Sequence, residues 1–205
     1  MVRRRFYILI SSFPEKIILC NSLIKKIRYE WEGFRFLVRN IRASRTLHPM
    51  QDSTFSNYQF TGLSTHQIDE MDALHKLVRE GRELSFWRKT YFKQCGEKVC
   101  SVAFNEDGQM VGFNFYYFRE SEVNEGIIHE AFLGISPQER GKGLATALQA
   151  YTIDQLSRNK LRGISGNVLK ANGPSVKMLL RTGFILTDDP DDAANYRVFY
   201  PLTTL

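Results

Sequence analysis

Cysteine is scarce in this 205-residue chain: Cys20, Cys95 and Cys100 are odd in number and form no C-x-x-C pair. Neither a disulfide framework nor a zinc site is suggested, and a reducing compartment fits best. No run of about 18 apolar residues occurs, which excludes a transmembrane helix. Low-complexity tracts and internal repeats are also missing, so linker-like, collagenous and solenoid architectures fall away. Two phosphate-loop spacings are absent as well, G-x-x-x-x-G-K-[ST] and G-x-G-x-x-G, which removes support for nucleoside triphosphate and dinucleotide binding. What is present, 43% hydrophobic and 24% charged residues, is the composition of a globular domain with a sizeable core.

The net charge of +6 is unevenly placed. Residues 1–47 hold eleven lysines and arginines against Glu15, Glu30 and Glu32, a net +8, so the remainder of the chain is slightly acidic. The opening residues have the positive start of a signal peptide, but the apolar stretch Phe6 to Ile10 is shorter than the roughly 7–15 residues of such a segment and no A-x-A-like site follows. The expectation is a retained segment.

Within the basic region Ile17, Cys20, Ile24, Ile27, Trp31, Phe34, Val38 and Ile41 step by three and four, one stripe of a helix. Ser12 and Glu15 have capping-box spacing and Pro14 suits a first turn, so the spacing predicts a helix over about 13–44, with Gly33 weakening it by about 1 kcal/mol. Two uses of this helix stand side by side: peripheral contact with an anionic membrane, or packing on its own domain or on a second copy along the stripe. The expected placement is cytoplasmic, at the inner membrane face if the first use holds. Nucleic acid is the least favoured partner, because the aromatic residues follow the apolar stripe and do not interleave with the basic face.

Residues 48–56 read as a linker after a 1–47 helical extension, and 57–205 as one mixed α and β domain. A short strand near Tyr58 to Leu63 precedes helical runs over 68–78 and 84–94. Two β-rich runs, Val99–Asn105 and Met110–Phe118, meet at Asp107-Gly108, a hairpin signal. Ile127–Ile135 is a third strand. A glycine-rich turn, a helix over about 143–158, a strand near 161–168, a helix near 174–182 and strands at 184–187 and 196–203 complete the pattern.

The stretch Leu133-Gly-Ile-Ser-Pro-Gln-Glu-Arg-Gly-Lys-Gly-Leu-Ala-Thr-Ala-Leu148 runs from strand through tight turn to helix start. Unpaired N–H groups at a helix N-terminus, with glycines that let an anion approach the backbone, make a phosphate cradle. The six residues Arg140-x-x-Gly143-x-Ala145 resemble the [QR]-x-x-G-x-[GA] motif of the GNAT superfamily of N-acetyltransferases. About thirty residues later Asn172-Gly-Pro-Ser175, followed by Arg181-Thr-Gly183-Phe184, resembles the family's second signature. The resemblance spans roughly 57–203. It implies an α/β (α+β) fold with a mostly antiparallel, splayed sheet flanked by helices, and acetyl-CoA as co-substrate without a metal. By the same resemblance Leu133 and Ile135 offer backbone groups to the pantetheine arm. Arg140, Gly141, Lys142, Gly143, Leu144 and Ala145 surround the diphosphate, and Asn172 contacts the cofactor arm. For Asn172 the alternative from the residues alone is a helix cap.

Acetyl transfer needs a neutral amine, hence a base, and Glu130 on the strand HEAFLGI is placed for that role. His129 should face the other way. The family often carries a proton-donating tyrosine seven residues after the motif asparagine, where this chain has Leu179. Water, Ser175, Tyr196 or Tyr200 replaces it, or the thiolate leaves unprotonated, or catalysis is lost. The acceptor is a primary amine: a small amine, an amino sugar or a protein amine. Asp188, Asp189, Asp191 and Asp192 either attract its cationic form or are ordinary solvated loop residues. The rival reading is a non-catalytic acyl-CoA sensor or interaction module.

Overall fold

A computed structural model describes the backbone over residues 13–202 and side chains from residue 24. The expectations for the first twelve residues, for Ser12 as a cap and for the side chains of Ile17 and Cys20 lie outside the described residues. The chain divides into two compact units, residues 1–36 and 37–205.

In the first unit the helix α1 (Phe13–Ser44) begins. Ile24, Ile27, Trp31 and Phe34 of its stripe are exposed, with the rings of Trp31 and Phe34 stacked 6.0 Å apart. Among the described residues no helix is long and apolar enough to cross a membrane.

The second unit contains the last turns of α1 and an eight-stranded sheet. Its strands are β1 (Ser53–Phe55), β2 (Tyr58–Gly62), β3 (Cys100–Phe104), β4 (Met110–Tyr117), β5 (Ile127–Ile135), β6 (Gly163–Leu169), β7 (Ile185–Asp188) and β8 (Asn195–Pro201). They lie in the order β1-β2-β3-β4-β5-β6-β8-β7, antiparallel except for β5 on β6. Helices α2 (Ile68–Val78) and α3 (Phe86–Val99) precede β3, α4 (Leu144–Ser157) carries the chain from β5 to β6, and α5 (Gly173–Arg181) joins β6 to β7. This is the mixed, mostly antiparallel sheet with flanking helices expected from the sequence.

β4 is buried on both faces because helices cover both. Phe113 and Phe115 stack 5.8 Å apart and meet His75 of α2, Phe92 of α3 and Phe132 of β5. On the opposite face Asn114 and Tyr116 look toward Gln149 of α4. Phe118, just beyond β4, ties the end of this strand to α1: its N–H donates to Asn40 Oδ1 at 2.6 Å and its carbonyl accepts from Arg39 Nε at 3.0 Å. The helix thus ends on a polar buried face, Asn40 and Ser44, and not on its apolar stripe, because a strand terminus offers unpaired backbone groups.

Residues 48–56, read as a linker, hold the short strand β1 and are pinned to the domain. The amides of His48, Met50 and Gln51 donate to Asn159 Oδ1, the Glu97 carbonyl and Gln155 Oε1. Close backbone packing also fixes Gly62, where a Cβ would lie 2.3 Å from the Glu97 carbonyl oxygen. Gly62→Ala is therefore expected to cost about 3 kcal/mol or more, read as a lowered denaturation midpoint, since backbone on both sides leaves no flexible group to yield.

Candidate active site

β5 pairs with β6 only from Ile127↔Gly163 to Glu130↔Gly166. Beyond that point β5 runs on beside β4 while β6 runs on beside β8, so the sheet forks. The Ser136 N–H donates back to Val111 of β4 at 2.8 Å. By strand alternation Gly134 also faces β4, whereas Leu133 and Ile135 turn their backbone N–H and C=O groups toward the open edge.

Glu130 sits at the fork. A β-bulge brings this about: Phe115 pairs with Phe132 and Tyr116 with Glu130, leaving Ala131 as the extra residue. In an unbroken strand Glu130 and Phe132 would share a face. The bulge separates them, so Phe132 joins the ring cluster by α2 while Glu130 turns with Tyr116 toward α4. Gln149 Nε2 donates to Glu130 Oε2 at 2.8 Å, and the Asn114 carboxamide donates to Gln149 Oε1 at 2.8 Å and to the Tyr116 hydroxyl at 2.7 Å. Desolvation pushes the Glu130 carboxyl up to about 7, although the hydrogen bonds from Gln149, Asn114 and Tyr116 oppose that rise. A carboxylate titrating near neutrality is suited to move a proton at working pH.

His129 faces the other way, as strand alternation requires. Its Nδ1 lies 2.9 Å from Ser165 Oγ, its ring meets Tyr117 edge-on, and burial together with Arg119 brings its pKa down to about 3. It stays neutral and has no role at the fork.

A cleft of about 710 Å³ opens at the fork, lined by Glu130, Leu133, Ala145, Asn172 and Ser175 among others. Ile135 is buried and is not among the lining residues. The turn ahead of α4 is exposed, with Gly141 and Gly143 at φ 79° and 82° and no atom within 4 Å of the Cβ position at either. Among the described residues the amides of Gly141, Lys142, Gly143, Leu144 and Ala145 donate to no other backbone group, as expected where a helix begins. The Arg140 amide differs from the sequence expectation, for it donates to the Pro137 carbonyl at 3.4 Å and leaves only the side chain available. Lys142 Nζ is held 2.8 Å from Glu139 Oε2, which Tyr58 also contacts. Residues open around an unpaired helix start, with an open strand edge next to them, fit a long phosphate-bearing thioester.

Asn172 lines the cleft and also caps α5, its Oδ1 accepting from the Ser175 N–H at 3.3 Å. The capping reading and the cleft reading are compatible, since the cap uses only the oxygen. Leu179 is buried at the cleft wall, and among the described lining residues no tyrosine appears; Ser175 is the one hydroxyl. Tyr200 packs on Phe184 and Tyr196 lies under Lys170, and neither is among the residues lining the cleft. The acidic loop is occupied internally: Asp188 pairs with Lys170, Asp189 and Asp191 with Arg197, and Asp192 takes the Asn195 side chain and the Ala194 amide. It is a braced loop and not a trap for cations.

Sequence reasoning missed Asn114, Tyr116 and Gln149. Their signal was the polar Asn114 within an otherwise apolar strand, MVGFNFYY, and a glutamine on the buried face of α4.

A sequence model of the Acetyltransferase (GNAT) family matches residues 65–184. No curated protein matches by sequence. Among solved structures the fold is similar to a GNAT-family acetyltransferase from Streptococcus pneumoniae, at 15% identity and TM-score 0.60, covering 71% of this chain and 99% of that one. It is also similar to Naa50 of Arabidopsis thaliana, solved with the bisubstrate analogue CoA-Ac-MVNAL, at 19% identity, TM-score 0.57, and 70% and 98% coverage. Diaminobutyrate acetyltransferase EctA of Paenibacillus lautus, solved with L-2,4-diaminobutyric acid and coenzyme A, aligns at 17% identity, TM-score 0.57, and 72% and 96% coverage. With the family match spanning more than half of its length and the forked sheet it contains, the chain belongs to the GNAT family of acetyltransferases.

Proposed function

We propose that the chain transfers an acetyl group from acetyl-CoA to a primary amine, with Glu130 as general base. The observation that carries this reading is the Glu130 carboxylate, poised near neutrality at the fork and beside the unpaired edge of β5. Leu133 and Ile135 hold the pantetheine arm as an added strand would be held. The α4 start, from Gly141 to Ala145 and with the Arg140 side chain, receives the diphosphate. The Asn172 amide N–H group donates to the arm from the opposite side. Naa50, solved with a CoA bisubstrate analogue, and EctA, solved with L-2,4-diaminobutyric acid and coenzyme A, share the fold, in keeping with this use of the cleft.

Glu130 takes one proton from the ammonium and frees the nitrogen lone pair for attack; the second proton passes from nitrogen to water once the new bond has formed. The amine nitrogen forms a bond to the acetyl carbon, the carbon–sulfur bond breaks, and backbone N–H groups of the open β5 edge steady the charge that gathers on the carbonyl oxygen. Leu179 cannot protonate the leaving sulfur. A thiol with a pKa of about 8.5 leaves as its anion and collects a proton from water, so turnover can proceed without the tyrosine.

The alternative, a sensor that binds acyl-CoA without turnover, is favoured by the absence of a tyrosine among the described lining residues. Incubation with acetyl-CoA and a set of primary amines separates the two. The proposal expects free thiol and N-acetylated amine in equal amounts; binding of acetyl-CoA with no thiol release across the set supports the sensor.

A further inference from the structure

The cleft has a second chemical feature on the side away from α4. The loop that follows α2 places Arg79, Glu80 and Arg82 in the lining of the cleft, on the Phe132 side of the fork, and Glu130 lines the same cleft. The Arg79 guanidinium lies 4.6 Å from the centre of the Phe132 ring. Neither Arg79 nor Arg82 is ion-paired among the described residues, whereas Lys76 and Lys89 nearby share Asp72 and Glu83. Arg79 is instead surrounded by its own kind. Desolvation, then the charges of Arg82 and Arg88, lower its pKa from the ordinary arginine value.

The loop is built to hold this arrangement. His75 is buried, and its Nδ1 donates to the Arg82 carbonyl at 2.9 Å. The Gly81 N–H donates to the Lys76 carbonyl at 2.8 Å and the Arg82 N–H to the Arg79 carbonyl at 3.1 Å. Glu80 is carried through the turn with φ at 53°, a conformation non-glycine residues seldom adopt without surrounding constraint. Two planar cations without ion-pair partners, carried by this turn into the lining of the cleft with one of them held over the Phe132 ring, make a site for an oxyanion that guanidinium groups bind through paired N–H donors.

We propose that the amine acceptor carries a carboxylate or phosphate group, which Arg79 and Arg82 bind while its amine faces Glu130. This rests on reading the cleft as the site of acetyl transfer. The arginines then select among amines, and the acidic loop of residues 188–192 has no part in that choice, because its carboxylates are already paired. Stacking on Phe132 fixes one guanidinium so that less freedom is lost when the anion arrives.

Ligand-observed NMR titration of the full chain, with and without coenzyme A, tests this using O-phosphoethanolamine, β-alanine and β-alaninamide. These probes offer a short amine with a phosphate, a carboxylate or a neutral end. One or both anionic probes should bind about 10- to 100-fold more tightly than the amide, the size of one charge-assisted contact. Whichever anion is preferred identifies the group. Arg79→Ala with Arg82→Ala should erase the difference, and Arg79→Lys with Arg82→Lys should retain part of it, since charge survives while the fork is lost. Equal affinity for all three probes, no measurable binding of either anion, or an unchanged preference in the alanine variant overturns the proposal. Failure of acetyl-CoA to bind, with anion selectivity intact, counts against the acetyl-transfer reading and leaves the anion site standing.

Discussion

Glu130→Gln should lower kcat by about 10²- to 10³-fold, the usual contribution of a positioned base, while the affinity for acetyl-CoA stays within about twofold. Glutamine keeps the shape and still accepts the hydrogen bond from Gln149, so the loss isolates proton removal from packing. The wild-type pH profile should rise through about 7, where the Glu130 carboxyl ionises, and the variant's residual rate should lack that step. A Gln149→Leu change removes the donor that favours the ionised form and should move the step to higher pH. A variant with wild-type turnover removes Glu130 from the chemistry.

The same residue carries a stability consequence of opposite sign. Its folded pKa is raised above the unfolded value, so the stability it contributes is complete below the unfolded value, near pH 4.5, and is lost as pH rises through about 7. At pH 8 the buried charge opposes folding, and Glu130→Gln should raise the thermal midpoint by a few degrees, roughly 3–6 °C. At pH 5 the difference should shrink, because glutamic acid is then neutral in the folded chain. His129 runs the other way: held neutral down to about 3, it takes stability from the fold as pH falls below the ordinary histidine range. A function-bearing carboxylate kept in a costly environment is the pattern expected where activity and stability compete.

Gly143→Asp should raise the KM for acetyl-CoA by about 100-fold, through like-charge repulsion worth a few kcal/mol near the diphosphate. The position has φ 82° and open space around its Cβ, so the change meets no steric obstacle beyond the left-handed backbone, which aspartate tolerates better than most residues. An aspartate at the start of α4 also suits the helix dipole, which works against unfolding as an explanation of any loss. The fold should therefore persist, with normal circular dichroism and the same midpoint within a few degrees, while the co-substrate is excluded. Unchanged KM would show that the turn does not hold the diphosphate.

Much of the architecture was legible because it depends on local periodicity. The three-and-four spacing from Ile17 to Ile41 marked α1, and β5 agreed with the structure from Ile127 to Ile135. Glycine spacing marked the turn before α4 because positive φ values there require residues that tolerate them. The rest depends on contacts between distant segments. Ala131 has no composition that announces a bulge, yet the bulge decides which way Glu130 points. Asn114, Tyr116 and Gln149 meet only once β4 and α4 are stacked. β1 lies in a polar segment and exists because the turn at Ser56 and Asn57 folds it onto β2. The acidic loop misleads in isolation, since its partners Lys170 and Arg197 come from strands whose pairing the loop itself does not reveal.

Titration calorimetry of the purified chain with acetyl-CoA, run beside the Gly143→Asp variant, is the most direct test of the central claim that the fork of the sheet is an acyl-CoA site. One site per chain with micromolar affinity is expected, weakened about 100-fold in the variant. Absence of binding by the wild-type chain, or equal binding by both proteins, would contradict it.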